Sequence, residues 1–271
     1  MIEKIHEDIG FIAGRWPLAP DLPTLVFISG AAANGIFWNE QVESLKDMAN
    51  TIAIDLPGHG KSNGDCRRTL GDYADAIIKF VNDIKAPFPV PCGVSMGGGI
   101  VLELLIKNRN DFPAGIIINS GAKLRFFPLI LKLLRQKKKE KVDYHQLFSE
   151  LAVSKKSDPE KMRALIDASA NFNPRVTIND IAACNAFDVR EKLHEIDVPV
   201  LIVTSEDDVI IPPENGKYLK EKIKHACSVH IKDAGHLVPI ERPMSINKAI
   251  KNFFDQTTFA GTGGQRSYGL I

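Results

Sequence analysis

Short β-rich apolar runs alternate with helical patterns along most of this chain, and that alternation limits the possible folds more than any other feature. Thr24–Ile28, Thr51–Ile54, Pro89–Val94, Ala114–Ile118, Val198–Thr204 and Ala226–Ile231 read as strands. Helical patterns lie between them, over Phe37–Met48, Leu70–Ile84, Ile100–Ile106 and Glu214–Lys224. In the second of these the apolar residues Tyr73, Ala74, Ile77, Ile78, Val81 and Ile84 keep helical spacing. Strand–helix alternation of this kind predicts an α/β fold, a mostly parallel central sheet flanked by helices. The alternation fails over residues 121–193, where helical patterns surround the loop Ser154-Lys-Lys-Ser-Asp-Pro159 and no strand is evident. That stretch is expected to be an inserted helical cap or lid. The core is then formed by residues 1–120 and 194–258, and the Gly-rich residues 259–271 form a flexible tail.

At 271 residues the chain is long enough for one large core with an insertion. Its formal net charge of +1 gives no global reason to expect nucleic acid as a partner. The start, MIEKIHEDIGF, lacks the apolar stretch of a secretory signal. No apolar run approaches the roughly 18 residues of a membrane span, so no integral membrane segment is expected. The four cysteines, Cys66, Cys92, Cys184 and Cys227, form no C-x-x-C pair. They read as reduced thiols of a cytoplasmic protein with no metal site.

The local chemistry concentrates in Cys92-Gly-Val-Ser95-Met-Gly-Gly-Gly-Ile100, four glycines around one serine. Gly93-Val-Ser95-Met-Gly97 fits G-x-S-x-G between a strand and a helix, the context in which a tight turn projects a serine hydroxyl. No lysine follows the glycines in phosphate-loop spacing. The Met96 amide, at the start of the helix, is positioned to donate to a developing oxyanion. Serine is a weak nucleophile and needs a base, and the base needs an orienting acid. Both follow in chain order. The acidic cluster Glu206-Asp-Asp208 comes after one strand, and Gly235-His236 comes after the next.

With these residues in view, the sequence resembles the α/β-hydrolase superfamily over roughly Thr24 to Phe254, least within the insertion. Asp55-Leu-Pro-Gly-His-Gly-Lys-Ser62 resembles its D-x-P-G-x-G-x-S loop, and Gly93–Gly98 its nucleophile elbow. Ser205-Glu-Asp-Asp208 resembles G-x-x-D with serine for glycine, and Gly235-His236 to Glu241-Arg-Pro243 resembles G-H-x-x-x-x-E-x-P. The resemblance implies Ser95 as nucleophile, Asp208 as acid and His236 as base, with Asp207 the alternative acid. It also implies that the backbone amide of Ala31 joins that of Met96 in the oxyanion hole. One departure is Ser29-Gly30, where most relatives have His-Gly.

The expectation is a capped serine hydrolase, of the carboxylesterase or lipase kind, acting on a small-molecule ester of a small or medium apolar acid without a cofactor. A carbon–carbon bond hydrolase, a lactonase and a perhydrolase are alternatives on the same three residues, and a ligand sensor that retains them is an alternative of another class. An aspartate nucleophile, as in dehalogenases and epoxide hydrolases, is disfavoured by Ser95. His59 reads as a loop-forming residue, Trp38 as packing and Glu241 as support for the His236 loop. His6, His145, His194, His225 and His230 have no motif context. From Gly121 to Glu150 eight Lys/Arg face three Asp/Glu, an excess of +5. The apolar run Leu124–Leu134 in that stretch predicts a cap helix with one apolar and one basic face, able to roof Ser95 or to touch anionic lipid.

Overall fold

The computed structural model describes residues 1–108, 111–125, 150–170 and 173–257. The apolar run Leu124–Leu134 from Phe126 onward, the basic run 135–141, His145 and the tail 259–271 lie outside the described residues. Eight strands form one sheet: β1 (Ile2–His6), β2 (Ile9–Ala13), β3 (Thr24–Ile28), β4 (Asn50–Ile54), β5 (Pro89–Val94), β6 (Gly115–Ile118), β7 (Val200–Ser205) and β8 (Ala226–Ile231). Their order is β1-β2-β4-β3-β5-β6-β7-β8. The pairs from β4 to β8 are parallel, and β1 and β2 add an antiparallel edge. The expected α/β architecture is therefore present. The β1–β2 hairpin is an addition to the six strands read from sequence.

Burial on both faces explains why the central strands read as continuous apolar runs. Along β3, Val26 and Ile28 enter a core on one face while Leu25 and Phe27 enter the core on the other. The first face is covered by α2 (Leu70–Asp83) and α3 (Met96–Lys107), and the second by α1 (Asn39–Leu45) and α8 (Pro243–Asp255). Local chemistry sets the helix starts. Thr69 and Asp72 exchange hydrogen bonds in a capping box at α2. At the start of Phe37–Met48 the Asn34 side chain accepts from the Ile36 amide, and a 3-10 turn over Gly35–Trp38 precedes α1.

Between β6 and β7 lie α4 (Pro159–Ser169), α5 (Pro174–Ala186) and a 3-10 turn over Arg190–Glu195. Both α4 and α5 open with an Asp or Asn cap followed by Pro, a strong start signal. The chain continues through α6 (Glu214–Lys222) and the short α7 (Val238–Glu241). The strand register aligns Ile28 with both Ile54 and Gly93, Val94 with Ile118, and Ile118 with Val203. The loops after β3, β5 and β7 thus leave the same edge. From β3 the chain passes to β4 on one side and β5 on the other, so a crevice opens between the loops after β3 and β5. Open α/β sheets bind ligands at such a crossover point.

Candidate active site

Ser95 is the single residue between β5 and α3, and its backbone is left-handed, with φ 57° and ψ −120°. A side chain at positive φ is strained, and such strain persists only where neighbours enforce it. Here the Ser95 amide donates to Ile118 O at 3.0 Å and the Ser120 hydroxyl donates to Ser95 O at 2.7 Å. The glycines serve close approach. A Cβ on Gly93 would overlap the Gly97 carbonyl, and one on Gly97 would overlap the carbonyls of Ile28 and Ser29. Gly98 abuts Ser120, and Gly99 abuts Leu70, Leu124 and Phe187. Gly93 therefore lies in β5, and Gly97, Gly98 and Gly99 lie inside the first turn of α3, where packing overrides their poor helix propensity.

The acid and the histidine lie beyond β7 and β8. His236 Nδ1 and Asp208 Oδ2 are 2.8 Å apart, and both residues are buried. Asp208 Oδ1 accepts from the amides of Ile210 and Ile211, each at 2.9 Å. One carboxylate oxygen is thus fixed by backbone and the other is left for the imidazole. Asp207 turns elsewhere, accepting from the Ser154 hydroxyl at 2.5 Å. The His236 loop is held by two side chains. Asn119 Nδ2 donates to the carbonyls of Gly235 and His236 at 3.1 and 3.0 Å, and Glu241 accepts from the amides of Gly235 and Ser154. Asn119 also bonds Ser205, the serine that replaces glycine in the G-x-x-D motif. Nothing in the sequence motifs marked Asn119.

The loop after β3 runs beside the serine. A Cβ on Gly30 would lie 3.3 Å from Ser95 Cβ. Ser29, at the departure from His-Gly, donates from its hydroxyl to Asn34 O at 2.9 Å and so ties the two ends of this loop together. The Ala31 amide has no acceptor among the described residues. The Met96 amide is among the first of α3, which have no acceptor within their own helix.

Ser95 lines a cavity of about 430 Å³ with an apolar wall of Ala122, Leu124, Ile210, Ile211 and Pro212. Lys123, Arg125 and Arg190 also border it. Asp188 lies 2.5 Å from Lys123 and 2.8 Å from Arg190, and hydrogen bonds from Arg190 and then Lys123 hold its carboxyl well below the usual range. Arg125 has no ion-pair partner among the described residues, and the described residues that line the cavity carry a net positive charge.

Trp38 is fully buried and stacks on Phe27, with ring centroids 4.9 Å apart. His59 is also fully buried, 2.8 Å from Asp180 of α5. Of the remaining described histidines, His6 packs edge-on to Phe80, His225 lies 3.3 Å from Asp197 and His230 lies 2.9 Å from Thr204 Oγ1. Among the described residues no helix is long and apolar enough to cross a membrane.

Known proteins resemble this chain in sequence and in fold. RutD of Rhizobium rhizogenes, named for carbamate hydrolysis, is 28% identical over 245 residues, covering 86% of this chain and 93% of its own. The 3-oxoadipate enol-lactonase 2 of Acinetobacter baylyi is 24% identical, covering 85% and 88%. The crystal structure of the enol-lactonase from Burkholderia xenovorans superposes with a TM-score of 0.80 at 19% identity, over 94% of this chain and all of that one. The sequence profile of the alpha/beta hydrolase family matches residues 25–249, and the chain belongs to that family of enzymes.

Proposed function

We propose that the chain is a cytoplasmic serine hydrolase that cleaves a carboxylic ester of a small or medium acid through an acyl-enzyme. The observation that carries this reading is the Asp208–His236 hydrogen bond at the sheet edge where Ser95 heads an apolar cavity. In this reading Ser95 Oγ attacks the ester carbonyl while His236 Nε2 takes its proton. Asp208 orients the ring and stabilises the imidazolium, and the amides of Ala31 and Met96 bind the oxyanion. The imidazolium then protonates the leaving alkoxide, and His236 next activates the water that releases the acid. The helices between β6 and β7 act as a cap, and they contribute Cys184 and Arg190 to the cavity. Its apolar wall suits an aliphatic acyl chain, and its positive border suits an acid whose far end is polar or anionic. The four free thiols fit a reducing compartment.

A second reading, a lactonase on the same three residues, is favoured by the enol-lactonase relative. A lactone is a cyclic ester and needs the same steps.

A fluorophosphonate probe tests the nucleophile. Covalent labelling of the wild type and its loss in Ser95→Ala are expected, with turnover in that variant down by about 10⁴ or more. A folded wild type that takes no label sinks the proposal. p-Nitrophenyl esters from acetate to decanoate, each beside its ω-carboxylate counterpart, report the pocket's length and charge preference. Higher kcat/KM for the anionic member, declining with salt, is the expected pattern.

A further inference from the structure

A second buried histidine–carboxylate pair lies behind the loop that runs past Ser95, and the proposed reaction does not use it. Asp180, on α5, is fully buried. Its Oδ2 accepts from the Ala32 amide at 2.9 Å and faces His59 Nε2 at 2.8 Å, while Oδ1 accepts from the Tyr73 hydroxyl at 2.9 Å. His59 Nδ1 lies 3.1 Å from the Pro57 carbonyl, which can only accept, so Nδ1 carries a proton. With three donors aimed at one carboxylate, the arrangement is that of an imidazolium bound to an ionised acid. Leaving such a carboxylate buried without its partners is strongly unfavourable, so the whole set stands or falls together.

One of those donors belongs to the backbone beside the catalytic serine. Ala32 has φ 55°, a left-handed conformation that a non-glycine residue adopts only when held. Residues Gly30 to Gly35 are gripped on several sides. Ser169 O, at the end of α4, accepts from the Asn34 amide at 2.9 Å, and Ala33 pairs with Ala170. Asp55 accepts from the Gly35 amide at 2.7 Å. Of these holds, only the Asp180 bond falls at the left-handed residue itself, next to the Ala31 amide.

We propose that Asp180 is a positioning residue. It locks the Ala31–Ala32 peptide so that the Ala31 amide stays aimed at the oxyanion, and it makes the oxyanion hole depend on the seating of α5. The inference rests on the hydrolase reading above. An oxyanion donor acts in the transition state, so its displacement lowers kcat and spares KM. Complete loss of one donor costs about 10²–10³ in kcat, so a displaced donor is expected to cost at least about tenfold.

The test compares Asp180→Asn with Tyr73→Phe, which removes a bond to the same carboxylate from the oxygen that does not face Ala32. Active sites are counted by fluorophosphonate labelling, and kcat, KM and thermal midpoint are measured for each protein. Asp180→Asn is expected to lose at least about tenfold in kcat per labelled site, with KM within about twofold. Tyr73→Phe is expected to show a lower thermal midpoint and a much smaller loss in kcat. Unchanged kcat in labelled Asp180→Asn overturns the inference alone, as does an equal loss in both variants at equal thermal cost. A wild type that takes no label overturns the hydrolase reading and this inference with it. Should Asp180→Asn fail to fold, amide exchange in the wild type decides. The Ala32 amide is expected to exchange as slowly as the amides of β3, and rapid exchange overturns the proposal.

Discussion

At the scale of single residues, the two buried His–Asp pairs among the described residues differ in what surrounds the ring. His236 has Asp208 on one nitrogen and no partner among the described residues on the other, which leaves that nitrogen open for the proton exchange proposed above. His59 has a partner on each nitrogen and no exposure, the mark of a structural charge. Burial pushes the pKa of His59 down. The Asp180 hydrogen bond and charge, the Pro57 carbonyl and the charge of Asp55 outweigh it and raise the value above 6.5. The other titratable groups around Asp180, namely Tyr73, Cys66 and Cys184, are pushed upward by burial first and by the Asp180 charge as well, so they stay protonated. A raised folded-state pKa stabilises the fold fully below the unfolded value and loses that contribution as pH rises through the folded value. The advantage of wild type over His59→Gln in thermal midpoint is therefore expected to be fully present below about pH 6 and to shrink as pH rises above it. Thermal melts of both proteins below and above that pH check it, and a difference that grows with pH contradicts it. This pair was invisible in the sequence because His59 and Asp180 are 121 positions apart and neither belongs to a motif that predicts the other. Asp208 and His236 were legible because the turns after β7 and β8 carry short-range spacing signals.

At the scale of elements, the strand–turn–helix unit around Ser95 depends on missing side chains. The spacing G-x-S-x-G announced the unit, but the uses of Gly98 and Gly99 could not be read without the partners they touch, Ser120, Leu70, Leu124 and Phe187. Gly97 has little tolerance. Its missing Cβ faces two backbone carbonyls of the β3 terminus, which cannot rotate away as a side chain could. Gly97→Ala is expected to force α3 away from β3, at a cost of about 1–3 kcal/mol. For a chain of this size that lowers the melting midpoint by several degrees, at about 2–4 °C per kcal/mol. Because Met96 and Ser95 ride on the displaced end, kcat per labelled site is expected to fall as well. A variant that melts with the wild type and turns over equally contradicts the close-packing account. The 3-10 turn before α1 was misread as helix for a simpler reason: Asn34 caps a tighter turn, and periodicity alone does not distinguish the two.

At the scale of the molecule, the parallel strands were legible because each is buried on both faces and so reads as an apolar run. The β1–β2 hairpin was not. In β1 the charged Glu3 and Lys4 sit between two isoleucines on an exposed edge, and the hairpin is held by ladder bonds and by surface pairs such as Lys61–Glu3 and Lys79–Glu7. Strands β2, β4 and β3 separate it from β5. Removing residues 2–6 is expected to lower the melting midpoint and to promote association through the bared edge of β2, while kcat per labelled site stays within about twofold. Light scattering with labelled-site kinetics checks this, and a loss of turnover without loss of stability contradicts it.

The grip of α4 and α5 on the Gly30–Gly35 loop also bears on how this scaffold can be re-engineered. A chimera that imports another protein's insert to obtain its substrate range would keep Ser95, Asp208 and His236 untouched. It would still discard the carboxylate under Ala32 and the carbonyl that receives Asn34. In the proposed mechanism the insert is part of the catalytic chassis, so a graft must carry both contacts with it.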